Sequence, residues 1–291
     1  MEYRTLGRTD LKVSSIGLGG VTFGREIDRD ASFAVLDHAC ARGINLLDTA
    51  EAYGEGVSEQ ILGQWLAQCG LRNRLVVMTK LLPPLTAAHI VAATEASLRR
   101  LRMECVDILM LHQWDAATPL EETLPALDRL VRDGKARYVG CSNFAAAQLR
   151  AALAIQKAQR LARMEAVEPI YNLVHRGIES DLLPLCSQEQ IGVITYSPLG
   201  AGFLTGKYTP DGPVPTGSRF AIKPGHQPIY FSERGFAILA DLRAQSERTG
   251  RSMIELALGW VFRQPGITSV LIGARHAGHI DQAFAAEAPN P

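Results

Sequence analysis

Leu75-Val76-Val77-Met78-Thr79-Lys80 and Val106-Asp107-Ile108-Leu109-Met110-Leu111-His112 are two short apolar runs, each ending on a titratable side chain. Between them, residues 88–101 carry apolar positions at helical spacing, so the stretch reads as strand, helix, strand. A unit of this kind spans about 30 residues and joins parallel strands. The same pattern repeats outward in both directions. Runs at 16–18, 45–48, 75–79, 106–111, 138–141, 166–170, 192–196 and 269–272 read as strands. Helix-period segments such as 31–42, 57–69, 88–101, 120–132 and 145–155 lie between them. Only the gap before the last strand is longer, and its Pro/Gly-rich stretch 209–228 reads as an irregular insertion. Eight such units without a break in composition predict an α/β protein, a closed (β/α)8 TIM barrel forming one domain over residues 1–291. Ahead of the first unit, residues 3–6 and 11–14 flank a turn containing Gly7, which predicts an N-terminal β-hairpin closing the barrel bottom.

Composition narrows the function classes. Among 291 residues, 30 Lys+Arg balance 30 Asp+Glu, so no basic footprint for nucleic acid or an anionic membrane is present. Apolar residues at 47% and charged residues at 21% exclude a mainly disordered chain. No apolar run approaches the roughly 18 residues of a membrane span, and Met1-Glu2-Tyr3-Arg4 is charged where a signal peptide is apolar. The five cysteines are an odd, scattered set without Cys-x-x-Cys, which argues for reduced thiols rather than a disulfide framework. A soluble, cytoplasmic protein is expected, a monomer or weak oligomer with neither nucleic-acid nor membrane partners.

Barrel enzymes build their sites at the carboxyl ends of the strands, because packed side chains fill the interior. Those ends carry Asp48 with Tyr53 in the following loop, then Lys80, His112, Ser142-Asn143, Glu168, Tyr196-Ser197 and Gly273-Ala274-Arg275. Singly, each has an ordinary reading: Asp48 as a helix cap, Lys80 as a solvated strand end, His112 as a core histidine, Tyr53 as a loop aromatic. Three successive strands ending in titratable groups are not what core packing demands. Together, these types suit proton-coupled reduction of a carbonyl. A tyrosine ionises only near pH ~10. A neighbouring lysine cation lowers that value, and an aspartate holds the lysine charged. A histidine can donate to the substrate oxygen.

The motifs Asp48-Thr49-Ala50-Glu51-Ala52-Tyr53-Gly54, Lys80 and Val106-Asp107…Leu111-His112 resemble the aldo-keto reductase family. Gly134-Lys135-Ala136-Arg137-Tyr138-Val139-Gly140-Cys141-Ser142-Asn143-Phe144 resembles its most specific block. Tyr171-Asn172-Leu173, Tyr196-Ser197-Pro198-Leu199-Gly200 and Leu204-Thr205-Gly206-Lys207 continue the likeness, all in family order, and the branch includes potassium-channel β-subunit-like proteins. The resemblance implies a catalytic tetrad of Asp48, Tyr53, Lys80 and His112, with Tyr53 as general acid. It also implies NADPH/NADP bound without a Rossmann fold. Gly200-x-Gly202-x-x-Thr205 is only a near miss to the dinucleotide fingerprint and follows the seventh strand. By the same resemblance, Ser142, Asn143 and Glu168 meet the nicotinamide carboxamide and Tyr196 stacks on the ring. Ser197, Leu199 and Gly202 line the pyrophosphate path, and Gly273 and Arg275 approach the adenosine phosphates. Trp114 is a candidate substrate-pocket wall, with Phe23, and Tyr230 or Phe231 from the insertion, weaker ones; Trp114 also reads as loop packing.

Three positions depart from the family pattern. Glu168 stands where glutamine is common, and a carboxylate accepts but does not donate unless protonated; a salt bridge to a neighbouring Arg is the competing reading. His279 and Ala283 hold positions where the family often has glutamine and asparagine. Arg275 suits bidentate contact with a 2′-phosphate, though it also reads as a surface arginine. His276-x-x-His279 has metal-ligand spacing but no third ligand nearby, so no metal is expected. Three functions fit: a reductase of a small-molecule aldehyde or ketone, an NAD(P)-dependent aldose or alcohol dehydrogenase, and a cofactor-binding regulatory protein on the same fold.

Overall fold

Successive side chains of a strand face opposite sides, and the barrel uses both faces. In the computed structural model, which describes residues 1–287, the chain opens with an antiparallel hairpin of β1 (Tyr3–Thr5) and β2 (Lys12–Ser14). The barrel strands follow: β3 (Ile16–Gly19), β4 (Leu46–Asp48), β5 (Val76–Leu81), β6 (Val106–Leu111), β7 (Ala136–Ser142), β8 (Met164–Glu168), β9 (Gly192–Thr195) and β10 (Ser269–Gly273). They are parallel, neighbours in chain order, and β10 closes on β3. Helices α1 (Arg29–Ala41), α2 (Val57–Cys69), α3 (Ala87–Leu101), α4 (Leu120–Arg132), α5 (Ala146–Gln159) and α6 (Leu182–Glu189) alternate with strands β3 to β9. Between β9 and β10 lie α7 (Arg219–Ile222), α8 (Gln227–Tyr230), α9 (Glu233–Thr249) and α10 (Met253–Phe262), and α11 (Ala277–Glu287) follows β10. This is the (β/α)8 barrel; of the single domain expected over 1–291, residues 288–291 lie outside the described residues.

The two faces of the strands bury separate apolar layers. Leu46, Val76, Met78, Ile108, Met110, Ala166, Ile194 and Leu271 fill the interior. Their alternates, among them Leu47, Val77, Leu109, Val139 and Val193, pack against the helices. Each such side chain taken fully from water contributes about 1.5–3 kcal/mol before entropy is counted. Leu6, Leu11 and Val13 of the hairpin join the inner layer and plug its lower end. Gly7 turns the hairpin at φ +55°, and a Cβ there would stand 2.8–2.9 Å from Gln190 O, Glu165 O and Gly192 N. Only glycine fits that approach.

Following the inward parity upward locates the site. Leu46 leads to Asp48, Val76 and Met78 to Lys80, Ile108 and Met110 to His112, Gly140 to Ser142, Ala166 to Glu168, and Ile194 to Tyr196. The last inward position of six consecutive strands, β4 to β9, is therefore polar. The sixth strand starts and ends two residues earlier than the periodicity suggests, because Pro169 has no N–H for the ladder. Ile170 and Tyr196 remain as an isolated parallel bridge, and Tyr196 N donates to Pro169 O at 3.1 Å. The Pro/Gly-rich insertion is short turns around α7 and α8, held by a cluster including Phe203, Tyr208, Phe220 and Tyr230. Among the described residues no helix is long and apolar enough to cross a membrane, and all five cysteines are free.

Candidate active site

Lys80 is fully buried, so it is not a solvated strand end. Its ammonium donates to the Asp48 carboxylate, to Thr49 O at 3.2 Å and to the Tyr53 hydroxyl oxygen at 3.2 Å. Glu168 Oε2 lies 3.3 Å from the same ammonium. Asp48 does not cap the following helix, whose N-cap is Gly56. Tyr53 comes from the loop after β4, which is laid along β5 by Thr49 N to Met78 O at 2.9 Å and Glu51 N to Lys80 O at 3.2 Å. That path brings the Tyr53 ring over the ammonium, 4.9 Å from its centre, and edge-on to His112 at 5.8 Å. The structure thus brings Asp48, Tyr53, Lys80 and His112 together.

Charge balance governs these groups. Burial opposes the charge on Lys80, but Asp48 and Glu168 outweigh it and raise its pKa above the usual range. One cation cannot neutralise two carboxylates. Burial raises Asp48 despite Lys80. Glu168 is pushed up to about 8, first by burial and then by Asp48. The competing partner foreseen for Glu168, an arginine, is instead Lys80. Burial also raises the Tyr53 hydroxyl above its ordinary range, with Lys80 working against the shift. This corrects the expectation that Lys80 brings Tyr53 below its ordinary value: desolvation of the phenolate is the larger effect. His112 is held down to about 4 by burial and then by Lys80, so its imidazole is neutral near pH 7.

Above this floor opens a cavity of about 650 Å³, within the usual range of roughly 300–1,000 Å³ for small-molecule sites. Asp48, Tyr53 and His112 line it, whereas Lys80 lies just beneath. Ser142, Asn143, Glu168, Tyr196, Ser197, Leu199, Gly202, Gly273 and Arg275 all line it too. Ser142 Oγ donates to Glu168 O at 2.8 Å, and Asn143 Nδ2 to His112 O at 3.0 Å. Tyr196 OH donates to Asn143 Oδ1 at 2.8 Å, which fixes Asn143 in its left-handed conformation at φ +58°. Gly202 sits in the wall at φ +89°, a left-handed conformation that favours glycine, with Lys207 Nζ beside it.

Two expected substrate-pocket walls are elsewhere. Phe23 turns into the layer between strands and helices, 2% exposed, while its neighbours Thr22, Arg25 and Glu26 line the cavity. Trp114 packs edge-on against Phe144 at 5.2 Å, and the cavity takes His112 and Gln113 instead. Both residues sit in loops, where strand parity no longer dictates direction. Tyr230 and Phe231 belong to the aromatic cluster of the insertion. The cavity also recruits residues assigned no role from the sequence: Lys207, near Arg275, and Arg219 and Lys223 line it as well. Lys207 is the last residue of the quoted motif Leu204-Thr205-Gly206-Lys207, so that motif was the available signal. Arg219 reaches Glu26 at 3.3 Å across the mouth, a pairing no local pattern announces. His279 Nδ1 accepts from Arg275 N at 3.2 Å, and its ring lies tilted against His276, centroids 4.0 Å apart. Among the described residues no group of three or more His, Cys, Asp or Glu is placed to hold a metal ion.

Titratable groups gather in the cavity around the tetrad, and Lys207 and Arg275 stand near each other elsewhere in its wall. Glu168 Oε2 and His112 Nδ1 are buried without a hydrogen-bond partner. These unpartnered polar atoms and the cations Lys207 and Arg275 line one and the same cavity or its floor.

Comparison with known proteins agrees with this geometry. A model of the Aldo/keto reductase family matches residues 15–289. A protein of Arabidopsis thaliana described as a probable voltage-gated potassium channel subunit beta is 34% identical over 300 residues, covering 97% of this chain and 90% of its own. A protein of Oryza sativa subsp. japonica with the same description is 35% identical over 298 residues, covering 96% and 89% respectively.

Proposed function

The chain belongs to the aldo/keto reductase family, and we propose that it reduces an aldehyde or ketone to an alcohol with NADPH, using Tyr53 as the general acid. Family membership supports carbonyl reduction with a nicotinamide cofactor in general. The observation that carries the finer reading is the contact of Lys80 Nζ with both the Asp48 carboxylate and the Tyr53 hydroxyl beneath the cavity floor. Lysine has no acceptor, so Tyr53 oxygen accepts from it and keeps its own proton free for the cavity. The phenol is protonated near neutrality, and the Lys80 charge works against the rise that burial imposes, which keeps its proton transferable to a carbonyl oxygen. Neutral His112 is the second donor to that oxygen. NADPH, when bound, would supply the hydride. Ser142, Asn143, Glu168 and Tyr196 would hold its nicotinamide end, and Gly202, Lys207 and Arg275 its phosphates.

A second reading comes from the relatives described as potassium channel subunits, namely a cofactor-binding partner of a channel. One experiment separates the two. Loss of reduced-nicotinamide absorbance is followed with NADPH and NADH over a panel of aldehydes, ketones and aldoses. Turnover of a carbonyl with NADPH supports the reductase. Tight cofactor binding with no turnover on any carbonyl favours the regulatory role.

A further inference from the structure

Glu168 is an unusual occupant of a cavity floor. It is 2% exposed, its Oε2 has no hydrogen-bond partner, and it lies 3.3 Å from a lysine already paired with Asp48. The charged and titratable groups around it are Lys80 on β5, Asp48 on β4, Tyr53 on the loop after β4, His112 after β6, and Tyr196 after β9. Counting Glu168 itself, the cluster holds two carboxyls and one cation. With both carboxyls ionised, the cluster carries an uncompensated negative charge on buried side chains. With one protonated, it is neutral. The site thus lacks one positive charge for the state in which Glu168 is ionised.

A nicotinamide that serves a carbonyl held by Tyr53 and His112 must lie over this same floor, because the donor carbon has to reach the substrate carbon. Its ring is neutral when reduced and cationic when oxidised. The oxidised ring therefore brings the charge that the cluster is missing, and the reduced ring does not. A glutamine at this position would treat both rings nearly alike.

We propose that Glu168 sets the preference of this site between oxidised and reduced nicotinamide, so that binding of the oxidised cofactor releases a proton from Glu168 while binding of the reduced cofactor does not. The inference rests on reading the cavity as a nicotinamide site. Proton release follows from the balance of charge: the protonated carboxyl faces an incoming cation and loses its proton to solvent. Like-charge repulsion from Asp48 and burial are what hold that proton in the free protein. The consequence is a site that holds the oxidised cofactor more tightly as pH rises.

The test is calorimetric titration of the whole protein with NADP⁺ and with NADPH, in buffers of different ionisation enthalpy. The 2′-phosphate is common to both cofactors, so the difference between them isolates the nicotinamide. Near pH 7, NADP⁺ should release up to about one proton more than NADPH. Its affinity should rise about tenfold relative to NADPH between about pH 6.5 and 9, a change of ~1.4 kcal/mol. In Glu168→Gln both differences should vanish. Equal proton counts for the two cofactors in the wild-type protein overturn the proposal, whatever the fate of the variant. So does a pH-dependent preference that survives in a folded Glu168→Gln. Binding of neither cofactor at any pH would overturn the reading of the cavity itself, a different result from binding without the proton difference.

Discussion

Lys80 Nζ sits 3.2 Å from the Tyr53 hydroxyl oxygen and 4.9 Å from the centre of its ring, so the ammonium meets both the oxygen and the π face of one side chain. The contact has a direction. The ammonium can only donate, so the phenol proton is left pointing away from it, toward the cavity. Lys80 itself does not line that cavity. It acts on Tyr53 from beneath while Asp48 keeps it charged.

Removing that ammonium should act on the acid through its pKa. Lys80→Met keeps most of the stem volume but deletes the one influence that lowers the Tyr53 value against burial. Carbonyl turnover is expected to fall, and the pH optimum for alcohol oxidation to move upward, because the phenolate must then form unaided. A pH–rate profile identical to the wild type would show that Lys80 has no part in the ionisation of Tyr53.

His112 should not contribute a break in the neutral range. Burial and Lys80 hold it down to about 4, below its ordinary 6.5, so it is neutral at every pH above roughly 5. The pH profile of kcat/KM for reduction should therefore be flat through 6.5 as far as this residue is concerned. A break near 6.5 that disappears in His112→Gln would contradict that assignment.

The barrel's stability should also register Glu168. Its folded pKa of about 8 exceeds the ordinary 4.5, so the folded state binds the extra proton between those values. Its stabilising contribution is complete below pH 4.5 and is lost as pH rises through 8. Glu168→Gln removes the titration, so its Tm relative to wild type should climb from about pH 5 to about pH 9. A gap in Tm that does not change with pH would contradict it.

Cofactor choice rests on a cation in the cavity. Arg275 is exposed and lines it, with its backbone fixed by His279. If it meets the 2′-phosphate, Arg275→Ala should weaken NADPH by about 1.5–3 kcal/mol, toward the lower figure because water screens an exposed guanidinium. NADH should change far less. Fluorescence titrations of wild type and variant against both cofactors decide it, and equal losses would reject phosphate recognition by Arg275.

Much of the fold is legible in the chain because a barrel strand announces itself twice, by an apolar run and by the helix-period segment that follows. Strand parity goes further and explains the site: Val76, Met78 and Lys80 share one face, as do Ile108, Met110 and His112, so the polar ends must converge on one spot. Where parity stops, so does legibility. Phe23 and Trp114 lie past strand ends, and their directions follow from packing that no local period encodes. The Glu26–Arg219 pair is written in two segments far apart in sequence. Proton affinities are hidden for a related reason. The family resemblance implies Lys80 beside Tyr53, but only burial shows that desolvation exceeds the pull of the lysine charge.

The central claim is that Tyr53 delivers the proton, and turnover of Tyr53→Phe tests it most directly. The phenylalanine keeps the ring over Lys80 and loses only the hydroxyl. On an aldehyde reduced by the wild type with NADPH, kcat should fall at least ~10²-fold, the lower bound for lost general acid catalysis, while NADPH affinity stays within about twofold. A variant that keeps more than roughly a tenth of wild-type kcat would contradict the account.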